Sequence, residues 1–141
     1  MHNKSRFQLH PQLQQDSFPV TYFDLCELRL INDSQYPWFI LVPQRDNIRE
    51  IYQLTPVEQQ QLQHESCFLA EQLAALYHAD KMNIAAIGNI VPQLHIHHIV
   101  RYTHDKAWPA PVWGKYAASA YTEAQRDEQL LRLQAILKQP A

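Results

Sequence analysis

GNIVPQLHIHHIVR, residues 88–101, is an apolar and β-branched segment that predicts a strand entered through a glycine-asparagine turn. Because alternate side chains of a strand point to opposite faces, Gln93, His95 and His97 are expected to share one face. Imidazole titrates near neutral pH and can serve as nucleophile, base, acid or metal ligand. Two histidines aligned on one rigid element therefore make this segment the candidate site of the chain.

The composition favours one globular domain, residues 1–141, because 46% of the 141 residues are hydrophobic. A formal net charge of -2 provides no basic surface of the kind that duplex nucleic acid requires. No apolar run reaches the roughly 20 residues of a membrane span, and the N-terminus lacks the apolar core of a signal peptide. Cys26 and Cys67 show no metal-like spacing, which predicts buried thiols in a reducing cytoplasm.

The remaining chain predicts an α+β domain in which a long helix packs on an antiparallel sheet. Thr55, Pro56 and Glu58 form a capping box that starts the long helix. Turn residues separate two apolar runs that predict a hairpin before it. The predicted order is a short helix (10–17), two strands (25–31 and 38–42), the long helix (55–78), two strands (81–87 and 88–101), a loop (102–114) and a last helix (122–138).

The segment VPQLHIHHIVR, residues 91–101, resembles the signature of the histidine triad (HIT) superfamily, in which three histidines alternate with apolar residues. By position, His95 matches the middle histidine, which is the family's nucleophile, and His97 matches the third. Gln93 takes the place of the first histidine. Asn89 matches a polar position that hydrogen-bonds a phosphate oxygen in the family, although it also suits the turn.

Two flanking regions extend the resemblance to about residues 10–114. The first is the hairpin at residues 30–43, where the family's counterpart of Asn32 contacts a ribose; the alternative is that Asn32 only shapes the turn. The second is a loop similar to the Trp-Pro-x-Pro-Val-Trp-Gly ending of some bacterial members. Its Trp108 and Trp113 either wall a nucleobase, cover the site across a dimer, or pack on the core.

The resemblance implies a HIT-like fold, a homodimer with the helix at 55–78 packed across it, and a nucleotide ligand. It further implies a hydrolase or transferase that cleaves the α-phosphate linkage of a diadenosine polyphosphate-like compound or another nucleotide conjugate. The reaction would pass through a nucleotidyl-histidine intermediate. No cofactor is expected on the protein, and Mg²⁺ would arrive only with a polyphosphate substrate.

Gln93 leaves alternatives open, because an amide forms hydrogen bonds but cannot carry a proton near neutral pH. The chain could therefore be a HIT-fold nucleotide sensor or interaction protein with little catalysis. A different reading is a zinc site formed by His95, His97 and His104. In a third reading, the histidines are only satisfied core residues. His98 is expected on the opposite face of the strand, where it cannot replace the missing imidazole.

Overall fold

The computed structural model describes residues 7–137, which form three α-helices, one short 3-10 turn and a five-stranded sheet. The sheet is antiparallel throughout, with strand order β1-β2-β3-β5-β4. This confirms the predicted α+β class, while the predicted end of the last helix near residue 138 lies outside the described residues. In chain order the elements are α1 (Pro11–Asp16), β1 (Ser17–Tyr22), β2 (Cys26–Ile31), β3 (Trp38–Pro43), the 3-10 turn (Ile51–Gln53), α2 (Pro56–Tyr77), β4 (Lys81–Ala86), β5 (Ile96–Arg101) and α3 (Glu123–Leu137).

Strand β1 is the element that the sequence pattern missed. The sequence predicts a helix at residues 10–17 and no strand before residue 25, which is wrong. β1 lies at the edge of the sheet and pairs only with β2, and its register shifts between Pro19 and Thr21. An edge strand tolerates a proline because one side of it needs no ladder hydrogen bonds.

Helix α2 begins as predicted. The Thr55 hydroxyl accepts a hydrogen bond from the Glu58 N–H at 3.2 Å, and the Glu58 carboxylate accepts one from the Thr55 N–H at 2.9 Å. Pro56 occupies the first helical position, where its missing N–H costs nothing. The helix ends at Tyr77, because the next residue, His78, has a left-handed backbone with φ of 53° that stops the helical repeat.

The two faces of the sheet have different roles. On one face, α2 and α3 cover the main core, which includes Leu28 and Phe39 from the strands and Leu69, Leu73 and Leu133 from the helices. On the other face lie two smaller clusters. The first contains Leu13, Ile40, Val42 and Val91, and the second contains Tyr36, Ile99, Ala107 and Val112. The space between these clusters is where the candidate site forms.

The structure also tests the composition-based predictions. Cys26 is buried as predicted, but Cys67 is exposed on α2, so the prediction of two buried thiols is wrong for Cys67. The outward face of a surface helix leaves a side chain in water whatever its chemical preference. None of the helices in residues 7–137 combines the length and apolar character needed to cross a bilayer.

Candidate functional site

The histidine segment is mostly a loop, and this corrects the predicted strand at 88–101. Strand β5 starts only at Ile96. The preceding loop turns at Gly88, whose φ of 64° favours glycine, and passes through Pro92, which has no N–H to donate to a ladder. Even so, the rings of His95 and His97 lie side by side, with centroids 4.9 Å apart.

These two imidazoles open into a cavity of about 730 Å³ on the second face of the sheet. That volume is within the range of small-molecule and cofactor sites. The walls combine apolar surface with a few polar groups, which is the usual composition of such sites. Contributions come from α1 (Gln12, Leu13, Gln15, Asp16), the end of β2 and the turn after it (Ile31, Asn32, Asp33), β3 (Trp38), the loop at 87–95 (Ile87, Gly88, Asn89, Ile90, Val91, His95), β5 (His97) and the C-terminal loop (Trp113, Gly114, Ala118).

A backbone hydrogen bond fixes the tautomer of His95. Its Nδ1 lies 2.7 Å from the backbone oxygen of Gln93. A carbonyl oxygen can only accept, so Nδ1 carries the proton and the lone pair of the neutral ring is on Nε2. Burial lowers the pKa of His95, the Gln93 carbonyl opposes that shift, and the charge of nearby His10 adds to it. The net effect keeps the ring neutral, which is the state that can attack an electrophile.

His97 is held in the opposite tautomer. The indole Nε1–H of Trp38 donates a hydrogen bond to its Nδ1 at 2.9 Å. Because indole only donates, Nδ1 must be unprotonated, and the proton of the neutral ring is on Nε2. Burial, followed by the charges of His95 and His98, lowers the pKa of His97 to about 3. The two adjacent imidazoles therefore offer one lone pair and one N–H donor.

Gln93 lies away from the two imidazoles, which corrects the expectation of three side chains on one strand face. Its Oε1 accepts a hydrogen bond from the His10 N–H at 2.9 Å, and its Nε2 donates to the Gln8 oxygen at 2.9 Å. The amide thus binds the backbone that leads into α1, whose Leu13 lines the cavity. The alternation of a strand does not reach Gln93, because residues 88–95 are a loop.

The predicted phosphate and ribose residues, Asn89 and Asn32, both line the cavity. Asn89 lies exposed in the loop before the histidines. Asn32 follows β2, and its Oδ1 accepts a hydrogen bond from the Tyr121 N–H at 2.9 Å, which leaves its amide N–H group for a ligand. Both residues therefore line the same cavity as the two imidazoles.

The neighbouring histidines take no part in the cavity. His98 points to the α2 side as predicted, where its Nε2 lies 2.7 Å from the Ser66 hydroxyl. His104 is exposed and stacks on Tyr102, with ring centroids 5.2 Å apart. Across the part of the chain that the structure describes, no three His, Cys, Asp or Glu side chains group as metal ligands. The zinc alternative through His104 is therefore not supported.

Several cavity residues were not identified from the sequence. Helix α1 had no assigned role, yet four of its residues line the cavity. Trp38 falls in the apolar run at 38–42, which predicts a strand and carries no mark of a site residue. Of the two tryptophans in the C-terminal loop, Trp113 lines the cavity, whereas Trp108 packs under the Arg101 guanidinium at 5.5 Å. The sequence of a short polar helix that begins with proline does not indicate a role in a site. Helix α1 reaches the cavity only because it packs on the second face of the sheet.

The site-bearing fold is therefore an α+β domain whose five-stranded antiparallel sheet presents two imidazoles of complementary tautomer to one cavity. The chain belongs to the HIT domain family, whose model matches residues 12–104. Members of this family are in general nucleotide-binding hydrolases or transferases. No curated protein matches the chain.

Solved structures agree with this assignment. A histidine triad protein from Marinobacter aquaeolei VT8 is 50% identical, with a TM-score of 0.93 over 96% of this chain and 98% of that one. A histidine triad protein from Sinorhizobium meliloti 1021 is 41% identical, with a TM-score of 0.92 over 94% and 98%. One from Bradyrhizobium japonicum is 39% identical, with a TM-score of 0.89 over 92% and 96%. The HIT-like fold predicted from the sequence is thereby confirmed.

Proposed function

We propose that this protein is a nucleotide hydrolase or transferase that cleaves the α-phosphate linkage of a nucleoside polyphosphate or related nucleotide conjugate through His95. The observation that carries the proposal is the hydrogen bond from His95 Nδ1 to the Gln93 backbone oxygen. It leaves the Nε2 lone pair of a buried, neutral imidazole available to a cavity of nucleotide size. A diadenosine polyphosphate is the substrate that the sequence resemblance favours.

The first chemical step forms a bond between His95 Nε2 and the α-phosphorus. The bond from phosphorus to the leaving group breaks, and the leaving group takes the electron pair. The attacking ring becomes positively charged, and its Nδ1–H already points at a carbonyl oxygen that stabilises this charge. Neighbouring His97 offers an Nε2–H to the phosphoryl oxygens, and Asn89 offers a second donor.

A hydrolase and a transferase would differ in the second step, in the nucleophile that attacks the phosphorus. In a hydrolase, water attacks the phosphorus, the bond to Nε2 breaks, the water proton passes to solvent and the nucleoside monophosphate leaves. In a transferase, another nucleophile takes the place of water. Trp38 and Trp113 supply aromatic walls next to His97, and Asn32 lies on the side of the cavity formed by the turn after β2. These positions support a nucleobase against the indoles and a ribose near Asn32.

Intact-protein mass spectrometry tests the nucleophile. The wild type is incubated briefly with diadenosine tetraphosphate, with and without Mg²⁺, and in a separate sample with an adenosine phosphoramidate. Free AMP is measured in the same samples, since fast hydrolysis hides an adduct. We expect an adenylyl adduct or AMP from the wild type and neither from His95→Ala, a loss of about 10³-fold or more.

His64→Ala is the matched control, because His64 is an exposed histidine on α2. It should retain the wild-type adduct and rate. An active His95→Ala variant would refute the assignment of the nucleophile. If the wild type binds nucleotide but yields neither adduct nor AMP, the protein is the sensor or interaction protein of the alternative reading.

We further propose that the protein is a homodimer joined along β4. This strand is an edge of the sheet, and Ile84 on it is 49% exposed. Ile84 lies opposite His98, so it faces the side of the sheet on which α2 contacts β4. We expect light scattering to give a dimer mass that Ile84→Arg abolishes and Ile51→Arg, at an exposed isoleucine elsewhere, does not. A monomeric wild type would refute the dimer.

A further inference from the structure

The hydrogen bond between Trp38 and His97 restricts the chemistry of the site. It joins the indole Nε1 to the imidazole Nδ1 across neighbouring strands at 2.9 Å. The two residues lie close on paired strands, since Ile40, two residues after Trp38, is the direct partner of His97. The contact is therefore fixed by the sheet register and not by a flexible loop.

Aromatic packing holds both rings in this geometry. The Trp38 ring lies 5.7 Å from the His97 ring and 6.4 Å from the Tyr36 ring. Trp113 packs at right angles to Trp38, at 5.9 Å, and lies 5.2 Å from His97. An imidazole enclosed in this way cannot turn over to exchange its two nitrogens without displacing an indole.

The chemistry of indole keeps His97 in this one tautomer. Its N–H donates and has no lone pair to accept with, so a proton on His97 Nδ1 would face another donor. Protonation of the ring is thus opposed at the one nitrogen that could receive the proton. Loss of the Nε2 proton, on the other hand, would leave an imidazolate anion in a buried site.

We propose that Trp38 is a positioning residue that confines His97 to hydrogen-bond donation through Nε2 and excludes it from proton transfer. This inference rests on the proposed function, in which His97 contacts the phosphoryl oxygens. It assigns His97 the part of a fixed dipole that stabilises charge developing in the transition state. The leaving group must then obtain its proton from solvent or from within the substrate.

The surroundings contain few groups that could perturb His97 in another way. On its own segment the titratable neighbours are His95 and His98, which act on its pKa. Across the cavity, Asp16 of α1 and Asp33 after β2 line the same space. None of these hydrogen-bonds to His97 among the contacts within residues 7–137. The indole is its hydrogen-bond partner.

Nitrogen-15 NMR of histidine-labelled protein tests the restriction without any substrate. The His97 signals are assigned by their loss in His97→Gln. In the wild type at neutral pH we expect Nε2 to show the shift of a protonated nitrogen and Nδ1 that of an unprotonated one. Protonated Nδ1 in the wild type would overturn the proposal, and the His97→Gln variant is needed only to assign the signals.

Trp38→Phe and Trp113→Phe form a matched pair. Both remove an indole that packs on His97, but only Trp38 donates to its Nδ1. We expect Trp38→Phe to average the two nitrogen shifts and to move the protonation of His97 to higher pH, while Trp113→Phe keeps the wild-type tautomer. Equal tautomer behaviour in the two variants would overturn the proposal.

The pH dependence of kcat/KM separates this inference from the proposed function. In Trp38→Phe we expect the acid limb of the profile to move to higher pH, because His97 can then take up a proton. An unchanged profile despite a changed tautomer would overturn the link to catalysis. An inactive wild type with the expected tautomer would instead refute the proposed function and leave the restriction by Trp38 intact.

Discussion

The imidazole Nε2 of His98 lies 2.7 Å from the Ser66 Oγ, so a side chain of β5 is hydrogen-bonded to helix α2. The other ring nitrogen donates to the Ile96 oxygen at 3.1 Å, which requires Nε2 to accept from the hydroxyl. Both ring nitrogens of this fully buried side chain are therefore used. His98 joins the sheet to the helix and takes no part in the chemistry on the other face.

Three histidines with lowered pKa values make the fold sensitive to acid. Burial lowers the pKa of His98 to about 4 and that of His97 to about 3, and it also lowers the pKa of His95. Unfolded chains bind these protons at a pKa near 6.5, so the stabilisation is complete above that pH and is lost as the pH falls towards the folded values. His97 and His98 should each contribute up to about 1.4 kcal/mol per pH unit once the pH is well below 6.5 and still above their folded values.

Denaturant titrations from neutral pH down to about pH 5 measure this effect. We expect His98→Gln, which keeps an acceptor for Ser66, to reduce the slope by the contribution of one histidine. His64→Ala, at an exposed position, should keep the wild-type slope. If the free energy of unfolding stayed constant as the pH was lowered from 6.5, the assignment of three neutral buried imidazoles would be contradicted.

Restoring a histidine at position 93 should not improve the site. Gln93→His replaces an amide that accepts from the His10 N–H and donates to the Gln8 oxygen at the same time. The nitrogens of an imidazole are held by a rigid ring, so we expect at least one of these bonds to be lost, at about 1–3 kcal/mol. Hydrogen exchange should show weaker protection of the amides across residues 8–16. The kcat/KM of the variant should not exceed that of the wild type. A gain in kcat/KM would instead show that the first triad position transfers a proton.

Arg101 should be among the most sensitive positions outside the cavity. Its buried guanidinium bonds to both oxygens of Asp105, to the Asn83 Oδ1 and to the Ala110 oxygen. We expect Arg101→Ala to lower the free energy of unfolding by about 3–5 kcal/mol, because it leaves a buried carboxylate unpaired. Arg126→Ala, which breaks a surface pair with Asp127, is the control and should cost less than about 1 kcal/mol. Similar losses in thermal or denaturant unfolding would contradict this distinction.

Glu65 should be required for joining α2 to the start of β2. It is fully buried, and its two carboxylate oxygens accept from the Leu25 and Cys26 N–H groups at 2.8 and 2.9 Å. We expect Glu65→Leu to destabilise by about 2–5 kcal/mol, since two buried donors lose their acceptors. Glu65→Gln keeps one oxygen and should cost less. Chemical unfolding would contradict the role if both variants cost the same.

The elements that the sequence predicted correctly have local causes. The helix from residue 55 follows from its capping box, and the two central strands follow from apolar runs bounded by turn residues. β1 was missed because Pro19 reads as a strand breaker unless the strand is known to lie at an edge. Edge position is a property of the whole sheet, and no window of sequence contains it.

For the site, the family signature predicted His95 and His97 as neighbours, and the structure brings them together. The same pattern placed Gln93 beside them, but a loop before β5 sends its side chain to the N-terminal backbone. The tautomers depend on partners from elsewhere in the chain, such as the indole of Trp38. These relationships required the tertiary structure, because each joins segments that the sequence pattern treats separately.

The turn after β2 fastens a C-terminal segment to the cavity, through Ser119 bonded to Ser34 at 2.7 Å and Tyr121 bonded to Asn32 at 2.9 Å. Trp113, Gly114 and Ala118 of the cavity wall lie in or next to this segment, beyond the residues 12–104 that the family model matches. The two histidines of the site therefore lie within the residues matched by the family model, whereas part of the cavity wall comes from residues after position 104. Substitutions in the tail can reshape what fits the cavity without altering the reacting histidines, so relatives with the same signature need not share a ligand.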